Sequence, residues 1–402
     1  MHNIYNNISV SKQQREKFKT SDVTLISVTH LLHDIYSSFL APLRPLLIEK
    51  FGLSLAMASL WDLFQRIPWF LNPLIGMIAE KTAARYFVIL TPAVTAITMS
   101  LLGLAPSFII VSILLFVMGI SGALFHVPSP VMVKKLSGDQ TGKGMSYYMF
   151  GGEIARTVGP LIITGAVSLW GLEGTWKLIP FGLAASFILF LRLRKIKISA
   201  DFKSNKTPIS FWSSFKKLLP FFVILIGITF FRAIMKSGLT AFLPTYYFNE
   251  KGESLWFANS ALAIFQLAGA AGTLFAGTFS DRIGRRNSLI IIAVVTPFLM
   301  YLFMAVSGIW SFVFLILLGI FIFAPGPVLL ALVQDKEKEK PVFANSIYMT
   351  ISFMTAAISV VIAGMLGDWL GLEQTYKLSA LIAFGAIPFV LMLKKEGKNK
   401  ND

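Results

Sequence analysis

The chain has 402 residues, of which 55% are hydrophobic, 13% aromatic and only 14% charged, and its mean hydropathy is +0.71. A soluble domain usually carries about 25% charged residues, so this composition excludes an ordinary soluble protein. The 36 phenylalanines exclude a disordered chain and the absence of cysteine excludes a disulfide scaffold, which leaves a protein whose main solvent is lipid.

Apolar runs recur along the whole chain, and each is about 17–26 residues long, the length that crosses a hydrocarbon core of ~30 Å as a helix. The sequence therefore predicts an all-α membrane protein with 12 transmembrane helices. In chain order the predicted spans are residues 23–48, 55–79, 87–104, 108–133, 144–169, 177–192, 218–248, 256–279, 288–306, 310–333, 342–366 and 377–393.

The net charge of +16 does not indicate a nucleic-acid partner, because the basic residues follow the topology. Most of the 36 Lys and Arg lie before the first span, after the last, and in every second connection between spans. By the positive-inside rule these segments and both termini are predicted to be cytoplasmic. The basic excess then favours contact with anionic lipid.

The second half of the chain repeats motifs of the first half at an offset of roughly 200 residues, the pattern of a parallel internal repeat. Residues 171–178 recur as 371–378, and the Pro-x-Pro pair at 128–130 recurs at 325–327. The predicted domains are an N-terminal six-helix bundle (1–192), a cytoplasmic linker (193–217) and a C-terminal six-helix bundle (218–402). A binding site is expected between the halves near the membrane midplane.

The connection after the eighth span, residues 277–286, reads Gly-Thr-Phe-Ser-Asp-Arg-Ile-Gly-Arg-Arg and resembles the loop signature of the major facilitator superfamily. The stretch Thr29-His30-Leu31-Leu32-His33-Asp34 and the pair Phe125-His126 are similar to the fosmidomycin resistance family of bacterial exporters. The resemblance implies the fold of that superfamily, with spans 1, 4, 7 and 10 around a central cavity, in the bacterial inner membrane. It also implies that Asp281, Arg282 and Arg285 clamp the cytoplasmic side in one state.

His30, His33 and Asp34 lie at i, i+3 and i+4, on one face of span 1. Ionisable groups inside a span are functional candidates by default, and His126 in span 4 could join them in the cavity. Three interpretations remain open: proton coupling through Asp34, His30 and His126, a polar network that fixes helix packing, or a transition-metal site made by His30, His33, Asp34 and His126.

Two further spans carry charge pairs. Glu153 and Arg156 in span 5 form either a self-neutralising pair or a proton site whose pairing switches with state. Asp62 and Arg66 in span 2 are spaced i, i+4 and are predicted to pair with each other.

Polar residues that could contact substrate follow in the second half, where Arg232 and Lys236 lie on one stripe of span 7 and span 8 contributes Gln266. Unpaired cations at this depth favour an anionic substrate such as a phosphonate, a carboxylate or a siderophore-like molecule, unless they pair with carboxylates of the first half or extend toward the membrane surface. The predicted substrate contacts are Arg232, Lys236, Gln266, His33 and Arg156.

The symmetric prolines Pro128 and Pro325 should kink spans 4 and 10 near their cytoplasmic ends, which suits an inner gate. No phosphate-binding Walker loop or catalytic triad is present, so neither ATP drive nor an enzyme is predicted.

Together with the resemblance, these features predict a monomeric secondary transporter. Its predicted partners are the lipid bilayer, protons and a small organic molecule, for which the cations of span 7 favour an anion. It exports this molecule with the proton gradient as its energy source and no cofactor. The alternatives are an exporter of a metal ion or metallophore, a lipid flippase, and a receptor or scaffold on a transporter fold.

Overall fold

The computed structural model describes residues 18–72, 85–194, 211–336 and 341–394, and these residues are helical throughout, without a strand. The α-helices of the described residues are α1 Thr20–Ser37, α2 Leu40–Phe51, α3 Leu55–Arg66, α4 Arg85–Ser100, α5 Phe108–His126, α6 Ser129–Leu136, α7 Thr141–Trp170, α8 Ile179–Leu193, α9 Phe211–Thr245, α10 Leu255–Ile283, α11 Arg285–Ala305, α12 Ile309–Phe323, α13 Pro325–Lys336, α14 Pro341–Leu370, α15 Leu372–Ala383 and α16 Ala386–Leu391.

Within the described residues, 9 segments are long and apolar enough to cross a membrane. The helices outside this set are α1, α2, α3, α6 and α7, and the charged residues they hold include Asp34, Asp62 and Glu153. Together with the 9 segments they are consistent with the 12 spans predicted from the sequence. The first predicted span consists of two helices, α1 and α2, which meet at residues 38–39.

Matching positions of the two halves have the same local structure. Ser54 begins α3 and accepts a hydrogen bond from the amide of Met57, and Ser254 begins α10 with the same bond from Phe257. Serine at this position satisfies a first-turn amide that has no partner within the helix. The predicted repeat is therefore visible in the helix ends as well as in the sequence.

The buried apolar core divides between the two halves. Two clusters of buried side chains draw all their members from residues 23–193, and two others draw theirs from residues 218–393. The connection at 195–210 lies outside the described residues, so the predicted linker bounds stay a prediction.

Prolines interrupt the two helices where the sequence predicts kinks. α5 ends at His126 and α6 begins at Ser129, so Pro128 lies in the break. α12 ends at Phe323 and α13 begins at Pro325. A proline has no amide hydrogen to donate and its ring collides with the preceding turn, so it kinks or breaks a helix, and at these two positions the helix breaks.

The ends of the helices define two sides of the molecule. We call the side that holds the start of α1 and the end of α16 the termini side, and the other the opposite side. The two halves are joined at the opposite side by direct hydrogen bonds. The Asp368 carboxylate of α14 accepts from the amides of Leu55 and Ala56, 2.6 and 2.9 Å away, and the Trp256 indole donates to the Ser168 hydroxyl at 2.9 Å.

Candidate functional site

A buried group of titratable side chains lies between α1 and α5. Asp34 is surrounded by three imidazoles, with 3.3 Å from Oδ2 to His30 Nε2, 3.1 Å from Oδ1 to His33 Nδ1 and 3.2 Å from Oδ1 to His126 Nε2. The sequence spacing predicted that the first three would share a face, and the structure adds His126 to them. We call His30, His33, Asp34 and His126 the histidine–aspartate cluster.

The backbone fixes which nitrogen of His30 carries hydrogen. Its Nδ1 lies 2.7 Å from the carbonyl oxygen of Tyr148, which can only accept, so Nδ1 is the donor. In a neutral imidazole Nε2 then holds a lone pair, and this lone pair faces Asp34 Oδ2. Two lone pairs at hydrogen-bond distance repel, so the His30–Asp34 pair is stable only with a proton or another cation between the two atoms.

His33 is held on its far side by a chain of hydroxyl groups. Ser121 Oγ donates to the carbonyl of Thr91, Thr95 Oγ1 lies 2.8 Å from Ser121 Oγ, and His33 Nε2 lies 3.0 Å from Thr95 Oγ1. His33 is completely buried and does not line the central cavity, so in this conformation it is not placed to contact substrate as the sequence predicted.

A cavity of about 480 Å³ lies between the two halves of the chain. The predicted substrate contacts Arg156, Arg232, Lys236 and Gln266 all line it. Ser352 and Thr355 of α14 also line it, and their hydroxyl groups can hydrogen-bond a ligand. The resemblance implies that span 4 lies at the cavity wall. Among the described residues that line the cavity, however, none comes from α5.

The cavity wall is strongly basic. Its charged residues are Arg44, Arg66, Arg156, Arg232 and Lys236, with Asp62 as the carboxylate. In the described part of the chain, no carboxylate forms an ion pair with Arg66, Arg232 or Lys236. An anion that enters this cavity meets several cations at once.

The two cations of α9 are held by neutral groups. Arg232 donates from Nη2 to the carbonyl of Ile322 at 3.0 Å, and the Lys236 ammonium lies 4.3 Å from the centre of the Phe323 ring. Both contacts are to the end of α12, beside the proline break. A carbonyl and an aromatic face orient a cation without supplying a counter-ion, so neither contact provides the negative charge that an anionic ligand would bring.

The structure corrects the predicted Asp62–Arg66 pair. Asp62 pairs with Arg44 of α2, which the sequence analysis did not single out. Arg44 is fully buried, donates from Nη1 to the carbonyl of Ala241 at 3.1 Å and lies 4.7 Å from the ring centre of Phe242. Helix spacing alone favours the local partner, and only the packing of α2 against α3 and α9 brings Arg44 to the carboxylate.

The predicted pair of α7 is present. Arg156 Nη1 lies 3.3 Å from Glu153 Oε1, and Arg156 lines the cavity while Glu153 lies behind it. On the same helix Tyr148 holds His30 through its carbonyl, and one turn later Gly152 packs against the His30 ring so closely that an added Cβ would lie 2.6 Å from Cε1. One helix therefore contacts both the histidine–aspartate cluster and the cavity.

The predicted gating residues of the loop signature form a network at the termini side of the second half. Arg285 pairs with Asp281 and, through Nε at 3.3 Å, with Asp335 at the end of α13, whereas Arg282 is exposed. The network ties α10, α11 and α13 together within one half. The equivalent loop of the first half, with Glu80 and Lys81, lies outside the described residues.

Comparisons with known proteins agree with this geometry. Residues 26–341 match the family model of the Major Facilitator Superfamily. The chain is 25% identical over 369 residues to the fosmidomycin resistance protein of Escherichia coli (strain K12), with 89% of each chain covered, and 24% identical over 385 residues to the uncharacterized transporter YfnC of Bacillus subtilis (strain 168), with 91% of each covered.

Solved structures have the same fold. A bacterial homolog to the human lysosomal transporter Spinster superposes with a TM-score of 0.80 at 14% identity, covering 94% of this chain and 97% of that one. The D-xylose-proton symporter superposes with a TM-score of 0.72 at 16% identity, covering 93% and 97%. The superfamily fold expected from the loop signature is confirmed.

Proposed function

Because this chain belongs to the Major Facilitator Superfamily, and is therefore a membrane transporter rather than an enzyme, we propose that it exports small organic anions in exchange for protons. Its termini side is the cytoplasmic side, as the distribution of Lys and Arg predicts. The membrane is the bacterial inner membrane, and the two halves rock about the cavity to open on alternate sides.

The observation that carries the substrate class is the basic wall of the cavity. Five cations and one carboxylate line about 480 Å³, and that carboxylate is already paired with Arg44. A neutral or cationic solute would leave the charges of Arg66, Arg232 and Lys236 without a partner in a low-dielectric space. An anion removes that cost, and the planar guanidinium groups suit a phosphonate or a carboxylate by paired hydrogen bonds.

Proton coupling is assigned to Asp34, His30, His126 and Glu153. The hydrogen-bond directions around His30 require a proton or cation between His30 and Asp34. Glu153 is the carboxylate next to Arg156 at the cavity wall. Since α7 contacts both places, a change in the proton content of the cluster can shift the helix that carries Arg156 into the cavity.

The test is transport by the purified protein in liposomes that contain a pH-sensitive dye. Small phosphonates and carboxylates are offered as substrates, with fosmidomycin, the compound named for the relative, as the first probe. An anion should drive proton movement in the opposite direction. Arg232→Gln should weaken its apparent affinity about 10- to 100-fold, the worth of one charge-assisted hydrogen bond.

Arg194→Gln is the matched control, because Arg194 is exposed at the termini side and far from the cavity wall. It removes the same charge and should leave the affinity unchanged. If both variants weaken transport equally, the effect is one of net charge, and the cavity is not the anion site. If no anion moves protons in the wild type, the proposal fails.

The lipid flippase alternative would need an opening toward the bilayer. A groove between α3 and α14, lined by Arg66, Trp69 and Phe353, does reach the cavity wall. The space within it is about 10 Å³, which is too small for a lipid headgroup, so this conformation does not favour a lipid substrate.

A further inference from the structure

Three side chains of the histidine–aspartate cluster have the spacing of metal ligands. One ligand atom from each of His30, Asp34 and His126 lies within 4.8 Å of the others, and the two carboxylate-to-imidazole distances are 3.3 and 3.2 Å. Ligands at ~2.0–2.1 Å from a tetrahedral zinc ion are about 3.3 Å from one another. The His30 distance ends on Oδ2 of Asp34 and the His126 distance on Oδ1, so each imidazole lies one such ligand spacing from the carboxylate.

The hydrogen bonds outside the cluster leave lone pairs directed inward. His30 uses Nδ1–H on the Tyr148 carbonyl, which exposes the lone pair of Nε2 to the site. His126 Nδ1 lies 3.3 Å from the Tyr148 hydroxyl, which in turn lies 2.7 Å from Ser129 Oγ. When the tyrosine donates to Ser129 it accepts from His126 Nδ1–H, and Nε2 of His126 is then also a lone pair.

Tyr148 therefore holds the outer nitrogen of both imidazoles, one through its backbone carbonyl and the other through its hydroxyl. Metal-binding histidines nearly always donate their second N–H to such an outer acceptor, which fixes the ring and its tautomer. The His30 tautomer is fixed by a backbone carbonyl, and a packing network has no need to turn its lone pair toward a carboxylate.

We propose that His30 Nε2, the Asp34 carboxylate and His126 Nε2 bind one divalent transition-metal ion of the zinc type. Imidazole with one carboxylate suits zinc, cobalt and nickel ions and disfavours magnesium and calcium, which prefer oxygen alone. Three protein ligands leave a fourth position for water. The ion would occupy the space between His30 and Asp34 where a proton is otherwise required, and His126, whose side chain is 25% exposed, gives it access.

The test is a titration of purified, tag-free protein in detergent with Co²⁺, followed by visible absorption. Tetrahedral cobalt gives intense d–d bands, and one equivalent should bind and be displaced by Zn²⁺. His126→Gln should abolish the bands. This variant alters a partly exposed side chain, so it is expected to fold, and size-exclusion chromatography checks that it does.

Asp22→Asn is the matched control, because it removes a carboxylate from the same helix near its start, away from the cluster. It should bind Co²⁺ as the wild type does. Absence of tetrahedral bands in the wild type, or bands that persist in folded His126→Gln, overturns the proposal. The measurement needs neither an anion nor a proton gradient, so its outcome is independent of the transport test.

Discussion

The buried pair of Arg44 and Asp62 gives the sharpest test of how the cavity is held together. Asp62→Asn removes the negative charge but keeps the shape, and leaves the Arg44 guanidinium with only the Ala241 carbonyl and the Phe242 ring. The Arg44 side chain is 1% exposed, so water replaces the lost carboxylate poorly. Breaking a buried pair from one side costs about 3–5 kcal/mol, and we expect that loss in the free energy of unfolding.

The assay is unfolding in mixed micelles by increasing SDS, followed by tryptophan fluorescence, with Trp61 buried next to Asp62 as one of the reporters. The control is the double variant Arg44→Gln with Asp62→Asn, which leaves a neutral pair that can still hydrogen-bond. It should be more stable than Asp62→Asn alone, because no charge is left buried without a partner. Equal stability of Asp62→Asn and the wild type, or a double variant less stable than the single one, would refute the reasoning.

Three further outcomes follow from contacts described above. Gly152→Ala places a methyl group 2.6 Å from the His30 ring, so the folded variant should bind anions while its proton movement is lost, as the dye assay would measure. The hydrogen bond to Glu373 raises the pKa of the Lys251 ammonium above its usual value, so their contact should persist wherever Glu373 is ionised and be lost as the pH rises through the raised pKa. In Glu373→Gln, hydrogen exchange at the start of α15 should show that this contact is absent at every pH. Asp368→Asn weakens a charged hydrogen bond between the halves, so the halves should separate more often at the opposite side. The chain has no cysteine of its own, so spin labels on two introduced cysteines can report the distance between the halves. An unchanged distance distribution would contradict this role of Asp368.

The features predicted correctly from the sequence are those set by local geometry. The shared face of His30, His33 and Asp34 follows from helix spacing, and the breaks near Pro128 and Pro325 follow from the missing amide hydrogen. Both depend only on residues within one or two turns, so no knowledge of packing is needed.

The parts that were missed depend on which helices pack together. The spacing of Asp62 and Arg66 predicts a local pair, yet the carboxylate meets Arg44 from another helix. His126 does meet Asp34, as the sequence analysis expects, but the cluster lies away from the cavity wall because no described residue of α5 lines the cavity. The prolines near Arg44 in α2 were a usable signal, since an arginine in an apolar, proline-interrupted helix needs a buried partner.

Two of the contacts that join the halves at the opposite side, from Asp368 to the start of α3 and from Trp256 to Ser168, stand at positions related by the internal repeat. If one of these two contacts breaks alone, the intact contact acts as a hinge, and the halves separate only on the side that was released. Separation on both sides requires that both contacts break. Of these two contacts, the one at Asp368 involves a carboxylate and the one at Trp256 does not, so the halves should separate first at Trp256.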